Sequence, residues 1–137
     1  MKRIILLFAS MIMIVLSHAQ KNDDSKIIIK LNNAENAFGQ VKDAFIKEDF
    51  VVKDLSYKDT VVTYPLLTNG VMIIAKAAIT DNTITITGEY GIRPLNYFGD
   101  QKDPYKYQAI VYYKGNREWK KIMKAVSSLS GSISFSK

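Results

Sequence analysis

The fold of this chain is decided by residues 60–90, TVVTYPLLTNGVMIIAKAAITDNTITITGEY. Apolar and polar side chains alternate through this stretch, and the alternation begins upstream at Phe50. A period of two residues is typical of strands that bury one face. The pattern predicts strands over Phe50–Tyr57, Thr60–Leu66, Val71–Ile79 and Thr83–Tyr90.

The connections between these strands contain residues that favour chain reversal. Asn69-Gly70 is the strongest signal, because a two-residue primed turn needs positive φ at both central positions. Lys58-Asp59 and Asp81-Asn82 are the other two connections. We therefore expect an antiparallel meander in which one face of the sheet is buried.

A short strand and two helices flank the meander. Ile27 to Ile29 form a β-branched run, and Asn32 with Glu35 matches a capping box that opens a helix. Gly39 in this helix is expected to allow close approach to the sheet.

The second helix is expected to begin near Asn116 and to stop at Gly131, a favourable left-handed C-terminal residue. Its apolar stripe is Trp119, Ile122, Met123, Val126 and Leu129. The alternating tail Ile133-Ser134-Phe135 is compatible with a short edge segment. The segment 91–115 is too long for a simple connector.

This element order predicts an α+β domain: a β-α-β-β-β-β-α chain with a curved antiparallel sheet and two helices on one face. It resembles the TATA-binding-protein-like fold, as found in small exported Bacteroidetes-type proteins of unknown function. The resemblance rests on the order of elements over residues 26–131 and on the run Tyr112-Tyr113-Lys114-Gly115 with Trp119 opening the last helix. It implies no functional residue, and DNA binding is not implied either.

The N-terminus has the features of a signal peptide. Lys2 and Arg3 precede the apolar run Ile4–Leu16, and Ser17-His18-Ala19 supplies small residues at a cleavage site. We predict cleavage after Ala19, a flexible lead-in over residues 20–25, a single domain over residues 26–137, and export to the periplasm, cell surface or medium. A membrane anchor is the alternative, but the run is shorter than the roughly 20 residues that span a bilayer. A lipoprotein would need a cysteine, and the chain has none.

Composition excludes several kinds of catalysis. His18 lies in the predicted leader and the chain has no cysteine, so His-dependent triads and thiol nucleophiles are excluded from the mature protein. We expect no enzyme activity, no cofactor and no metal. Carboxylate pairs for glycoside hydrolysis could come from Asp54, Asp59, Glu89 and Asp100 if the fold brought two together.

The formal net charge is +6, of which Lys2 and Arg3 contribute two. Along the sequence the basic residues look scattered, which argues against a nucleic-acid partner. Anionic glycans, lipid headgroups and acidic proteins remain possible partners.

Aromatic residues concentrate between positions 90 and 119 and alternate with basic ones. Tyrosine suits binding surfaces because it joins a flat apolar ring to a polar tip. The candidate binding residues are Arg93, Tyr97, Phe98, Tyr105, Tyr107, Tyr112 and Tyr113. In the alternative interpretation these rings are structural: Tyr90 and Trp119 belong to the core, and Tyr105, Tyr107 and Tyr113 cover a sheet edge.

The sequence therefore predicts a non-enzymatic exported module that binds an unknown protein or saccharide partner through residues 91–115. A structural or assembly role through an exposed strand edge is the second hypothesis. Peripheral association with anionic lipid through the basic surface is the third.

Overall fold

The structure is a computed structural model that describes residues 19–53, 59–93 and 104–137. Two helices and a mixed set of long and short strands make up this part of the chain. The elements in order are β1 (Lys26–Leu31), α1 (Ala37–Lys47), β2 (Thr60–Val62), β3 (Leu66–Thr68), β4 (Val71–Thr80), β5 (Thr83–Ile92), β6 (Lys106–Ala109), α2 (Arg117–Val126) and β7 (Gly131–Ser136).

The described strands form one antiparallel sheet in the order β2-β4-β5-β1-β7. β3 continues along the edge of β4, and β6 pairs with the end of β5 that β1 leaves free. The α+β class and the antiparallel sheet are confirmed. The meander is confirmed for β4 and β5, but β1 inserts between β5 and β7 through long-range pairing.

Two predicted strands differ from the structure. In the described part of Phe50–Tyr57, Val52 forms only a single bridge, with Thr63; residues 54–58 lie outside the described residues. The predicted strand Thr60–Leu66 is divided into β2 and β3. Pro65 lies in the break, and proline cannot donate a ladder hydrogen bond.

The core lies between the helices and one face of the sheet. Alternate residues of the central strands are fully buried on this face, among them Ile73 and Ala75 on β4 and Ile84 and Ile86 on β5. The alternation predicted for β5 is therefore confirmed. The opposite face carries Lys76, Thr85, Thr87 and Glu89, and we call it the open face.

The two-residue hairpin predicted at Asn69-Gly70 is confirmed. Asn69 has φ 49° and Gly70 has φ 80°, and Thr68 pairs directly with Val71. Positive φ at both positions matches the twist of the flanking strands, which is why this dipeptide is favoured there.

The predicted start of the first helix is wrong. α1 begins at Ala37, and its N-cap is Asn36, whose side-chain oxygen accepts a hydrogen bond from the Gly39 amide at 3.2 Å. Asn33 instead accepts from the Glu35 amide at 2.8 Å, which forms a local turn before the helix. A side chain at Gly39 would collide with Asn36, so this glycine makes room for the cap rather than for the sheet.

The predicted start of the second helix is confirmed, but its end is not. Asn116 is the N-cap of α2, and Trp119, Ile122 and Val126 are buried. Gly131 opens β7, which confirms the short terminal edge segment and pairs with β1. A Cβ at Gly131 would collide with the carbonyl oxygen of Lys30, so this glycine permits strand pairing rather than a left-handed cap.

The segment expected to be a flexible lead-in makes several backbone hydrogen bonds. The Asp23 amide donates to the Tyr112 carbonyl at 3.0 Å, and the Tyr112 amide donates to the Asp24 carbonyl at 2.7 Å. The buried Asp24 carboxylate accepts from the Lys21 amide at 2.7 Å. These bonds tie residues 21–24 to the chain just before α2.

Candidate functional site

A groove lies between α2 and the hairpin formed by β3 and β4. Its volume is about 440 Å³, within the range of sites that hold small organic ligands. One wall is the hairpin, with Thr68 and Asn69 at the turn and Val71 and Ile73 on β4. The other wall is α2, and we call this space the α2 groove.

The α2 wall is basic. Its cations, Arg117, Lys120, Lys121 and Lys124, are spaced by three and four residues and therefore lie on one face of the helix. The expectation that basic residues are scattered is wrong here, because it compared positions along the chain and not around the helix. The 117, 120, 121, 124 spacing was the signal that could have revealed the stripe.

Glu48, just after α1, neutralises the far end of this stripe. Its carboxylate lies 3.0 Å from the Lys124 ammonium and 3.4 Å from that of Lys121. Hydrogen bonding to Lys124, supported by Lys121, holds the pKa of Glu48 below its usual value of 4.5. Glu48 is therefore ionised at neutral pH and couples α1 to α2.

Arg117 and Lys120, at the near end of the stripe, are exposed and form no ion pair with any residue in the described ranges. Glu118 is the acidic residue of this wall and lies in the first turn of α2, where the helix dipole favours a negative charge. The groove thus offers two cations that form no ion pair with a described residue, together with one carboxylate and the apolar side chains of β4.

Asn116 positions this wall. Its side-chain oxygen accepts from the Trp119 amide at 2.9 Å, and its amide nitrogen donates to the Val111 carbonyl at 2.6 Å. The residue is 5% exposed; its bond to the Trp119 amide is buried and its bond to the Val111 carbonyl is partly buried. Asn116 therefore caps α2 and also anchors its start to the segment that follows β6.

A hollow of about 330 Å³ with a mixed polar and apolar lining adjoins the α2 groove, and Val71 and Glu118 line both spaces. Ile92 and Tyr113 also line it, and they are 51% and 54% exposed. Large side chains with that much exposure offer contact area to a ligand. We call this space the Tyr113 hollow.

Among the described residues, the predicted aromatic side chains lie on more than one surface. Tyr112 packs on Trp119 with ring centroids 5.7 Å apart, so it supports the core, and Tyr90 also packs against the core. Tyr113 and Tyr90 both line the Tyr113 hollow. Tyr97 and Phe98 lie outside the described residues.

Tyr105 and Tyr107 lie elsewhere. Tyr107 pairs with Gly91, and both tyrosines contact the position that a Cβ of Gly91 would occupy, on the open face. Their ring centroids are 6.4 Å apart. Arg93 is exposed directly after β5. The sheet thus separates Tyr105 and Tyr107 from the α2 groove.

The carboxylates considered for acid-base chemistry are not assembled within the described ranges. Glu89 pairs with Lys76 at 2.6 Å on the open face, and Asp59 accepts from the Thr60 hydroxyl at 3.2 Å. Asp54 and Asp100 lie outside the described residues. Among the residues that the structure describes, no group of three or more metal-ligating side chains occurs.

No helix in the described part of the chain is long and apolar enough to cross a bilayer. Comparisons of the chain with protein-family models, with curated proteins and with solved structures found no match.

Proposed function

We propose that this protein is a non-enzymatic exported binding module that holds an anionic amphiphile, with the acidic head in the α2 groove and the apolar part in the Tyr113 hollow. The observation that carries the proposal is that the α2 groove, with Arg117 and Lys120 outside any ion pair of the described residues, adjoins through Val71 a hollow that exposes Ile92 and Tyr113. The absence of histidine and cysteine after residue 19 supports binding rather than catalysis.

The charges of the groove favour a carboxylate or phosphate head. Glu48 engages Lys121 and Lys124, which leaves Arg117 and Lys120 as donors for an incoming anion. Because Arg117 and Lys120 are exposed, each charge-assisted hydrogen bond to the anion contributes less than the about 1.5–3 kcal/mol of a desolvated pair. Val71 beside these donors provides an apolar contact, so a purely hydrophilic anion such as inorganic phosphate would use only half of the site.

Export, and the TATA-binding-protein-like arrangement that the element order resembles, are part of this proposal. The leader motif supports cleavage after Ala19, and N-terminal sequencing of the protein recovered from its native host should begin at Gln20. A product that retains Met1 would refute export with cleavage.

The binding proposal is tested by isothermal titration calorimetry with decanoate, decyl phosphate and decanol. We expect both anions to bind and the neutral alcohol to bind at least about tenfold more weakly, since the head group supplies roughly 1.4 kcal/mol or more. Affinity for the anions should fall as salt is raised, because the cations of the groove are exposed. Equal binding of decanoate and decanol would refute the role of the cations.

Matched variants locate the site. R117Q/K120Q should weaken decanoate binding about tenfold, whereas K42Q/K47Q, which removes the same charge from the exposed side of α1, should leave it unchanged. Y113S should weaken binding of decanoate and decyl phosphate alike, because it removes the apolar contact and no charge. Equal losses in both lysine-containing double variants would indicate a general charge effect and refute the site.

The same head-group chemistry occurs in a free fatty acid and in a lipid bilayer, and sedimentation with vesicles separates the two sources. Binding to phosphatidylglycerol vesicles that R117Q/K120Q abolishes, without any binding of decanoate, would assign the α2 groove to a membrane surface. Decanoate binding with no vesicle binding assigns it to the free amphiphile.

A further inference from the structure

The terminal strand β7 is an edge of the sheet and pairs only with β1 among the described residues. The Asn32 amide donates to the Ser130 carbonyl, which makes these two residues a hydrogen-bonded pair. Hydrogen-bonded and non-hydrogen-bonded pairs alternate from there along β1 and β7. Residues at even positions of β7 therefore bond to β1, and the backbone groups of Ile133 and Phe135 point away from it. No described residue bonds to these outward groups.

Nothing in the sequence of β7 protects this edge. Gly131–Ser136 contains neither a charged residue nor a proline, and its register with β1 runs without a bulge. Natural edge strands usually carry lysine, proline or a bulge that prevents pairing with another chain. The opposite edge has such protection, because β2 and β3 are three residues each and Pro65 lies between them.

We propose that β7 pairs with β7 of a second copy of this chain, antiparallel and across a two-fold axis at Ile133. In that register Ile133 faces its own symmetry mate and Phe135 faces Gly131 of the other copy. The outward backbone groups then form about six inter-chain hydrogen bonds. The contact is isologous, so the same patch serves both copies and the assembly closes as a dimer.

Side-chain chemistry favours a second copy over an unrelated peptide. On the core side, a phenylalanine ring opposite a glycine covers the exposed glycine backbone. Phe135 is already held against Trp119, with ring centroids 6.2 Å apart, so it loses little freedom on pairing. On the open face Ser132 of one copy faces Ser134 of the other, and no like charges are opposed.

The experiment uses charge substitutions at Ser132 and Ser134, which lie on the open face and leave the core unchanged. S132E/S134E and S132K/S134K each place like charges opposite one another twice across the two-fold axis. We expect the unsubstituted protein to dimerise in sedimentation equilibrium between about 1 µM and 1 mM, since a contact this small is of the weak class. Each double variant should remain monomeric over that range.

Mixing the two double variants should restore the dimer, because every opposed pair then joins glutamate to lysine. S127E/S128E carries the same charge change at exposed serines after α2, away from the edge, and should dimerise like the unsubstituted protein. Circular dichroism confirms that each variant is folded.

An unsubstituted protein that stays monomeric at about 1 mM overturns the proposal. Dimerisation of either double variant alone, failure of the mixture to associate, or loss of the dimer in S127E/S128E also overturns it. If the protein does not self-associate but binds an extended peptide, the proposal is also overturned, because β7 then pairs with a peptide and not with a second copy.

Discussion

The α2 wall of the groove depends on Asn116, and replacing this residue by alanine should destabilise the protein strongly. Asn116→Ala removes the helix cap at the Trp119 amide, which costs about 1 kcal/mol. It also leaves the Val111 carbonyl without its donor in a partly buried position, which costs about 1–3 kcal/mol. The free energy of unfolding should therefore fall by about 2–4 kcal/mol, and the melting temperature by roughly 8–16 °C for a domain of this size.

A second substitution separates the two contributions. Asn116→Ser retains an oxygen that can accept from the Trp119 amide, but the shorter side chain has no amide to offer to Val111. It should cost about 1–3 kcal/mol, less than alanine by about the value of the cap. Asn33→Ala is the control: it removes one exposed hydrogen bond and should change stability by less than about 0.5 kcal/mol.

The assay is urea unfolding followed by Trp119 fluorescence and by far-ultraviolet circular dichroism. The midpoint should move while the slope with urea stays constant, because the surface exposed on unfolding is unchanged. A loss below about 1 kcal/mol for Asn116→Ala would show that the two hydrogen bonds do not hold the start of α2, and the reasoning would be refuted.

Three further results are expected. Because its lysine partners lower the pKa of Glu48, the stabilisation from this carboxylate is complete above pH 4.5 and is lost as the pH falls below that value. Thermal melts should show Glu48→Gln less stable than the unsubstituted protein at pH 7, with a difference that vanishes in acid; a difference independent of pH would contradict this. Gly88→Ala forces a methyl group against the Ile122 side chain and should lower the free energy of unfolding in urea by about 1–3 kcal/mol. The double variant G88A/I122V should recover part of this loss. If it recovers none, the contact with Ile122 is not the cause of the loss. Trp119, which is 3% exposed, should emit at short wavelength and resist iodide quenching until the protein unfolds; efficient quenching in the native protein would place the ring outside the core.

Features that depend on neighbours in sequence could be predicted. The hairpin at Asn69-Gly70 follows from the φ angles these two residues tolerate, and the buried face of β5 follows from strict alternation. The cap at Asn116 and the buried stripe of α2 follow from helical periodicity. In each case a local rule and the tertiary contacts favour the same outcome.

Features that depend on residues distant in the chain could not be predicted from the sequence. The sequence predicts close approach to the sheet at Gly39 and a left-handed helix end at Gly131, but the atoms that exclude a Cβ at these positions belong to Asn36 and to Lys30. The insertion of β1 between β5 and β7 is likewise a choice among apolar strands that look alike in sequence. Pairing energies between such strands are similar, so side-chain packing decides the order.

The sequence by itself determined the fold class and the lack of imidazole and thiol groups after residue 18, because both depend on composition and on repeats of two to four residues. Only the tertiary structure decided where the α2 groove lies. In the tertiary structure the basic side of α2 lies beside Val71 on β4, Glu48 after α1 neutralises one end of the stripe, and Tyr107 lies on the open face. The physical reason is that a groove is made by two elements far apart in the chain, and packing of their shared core sets their separation.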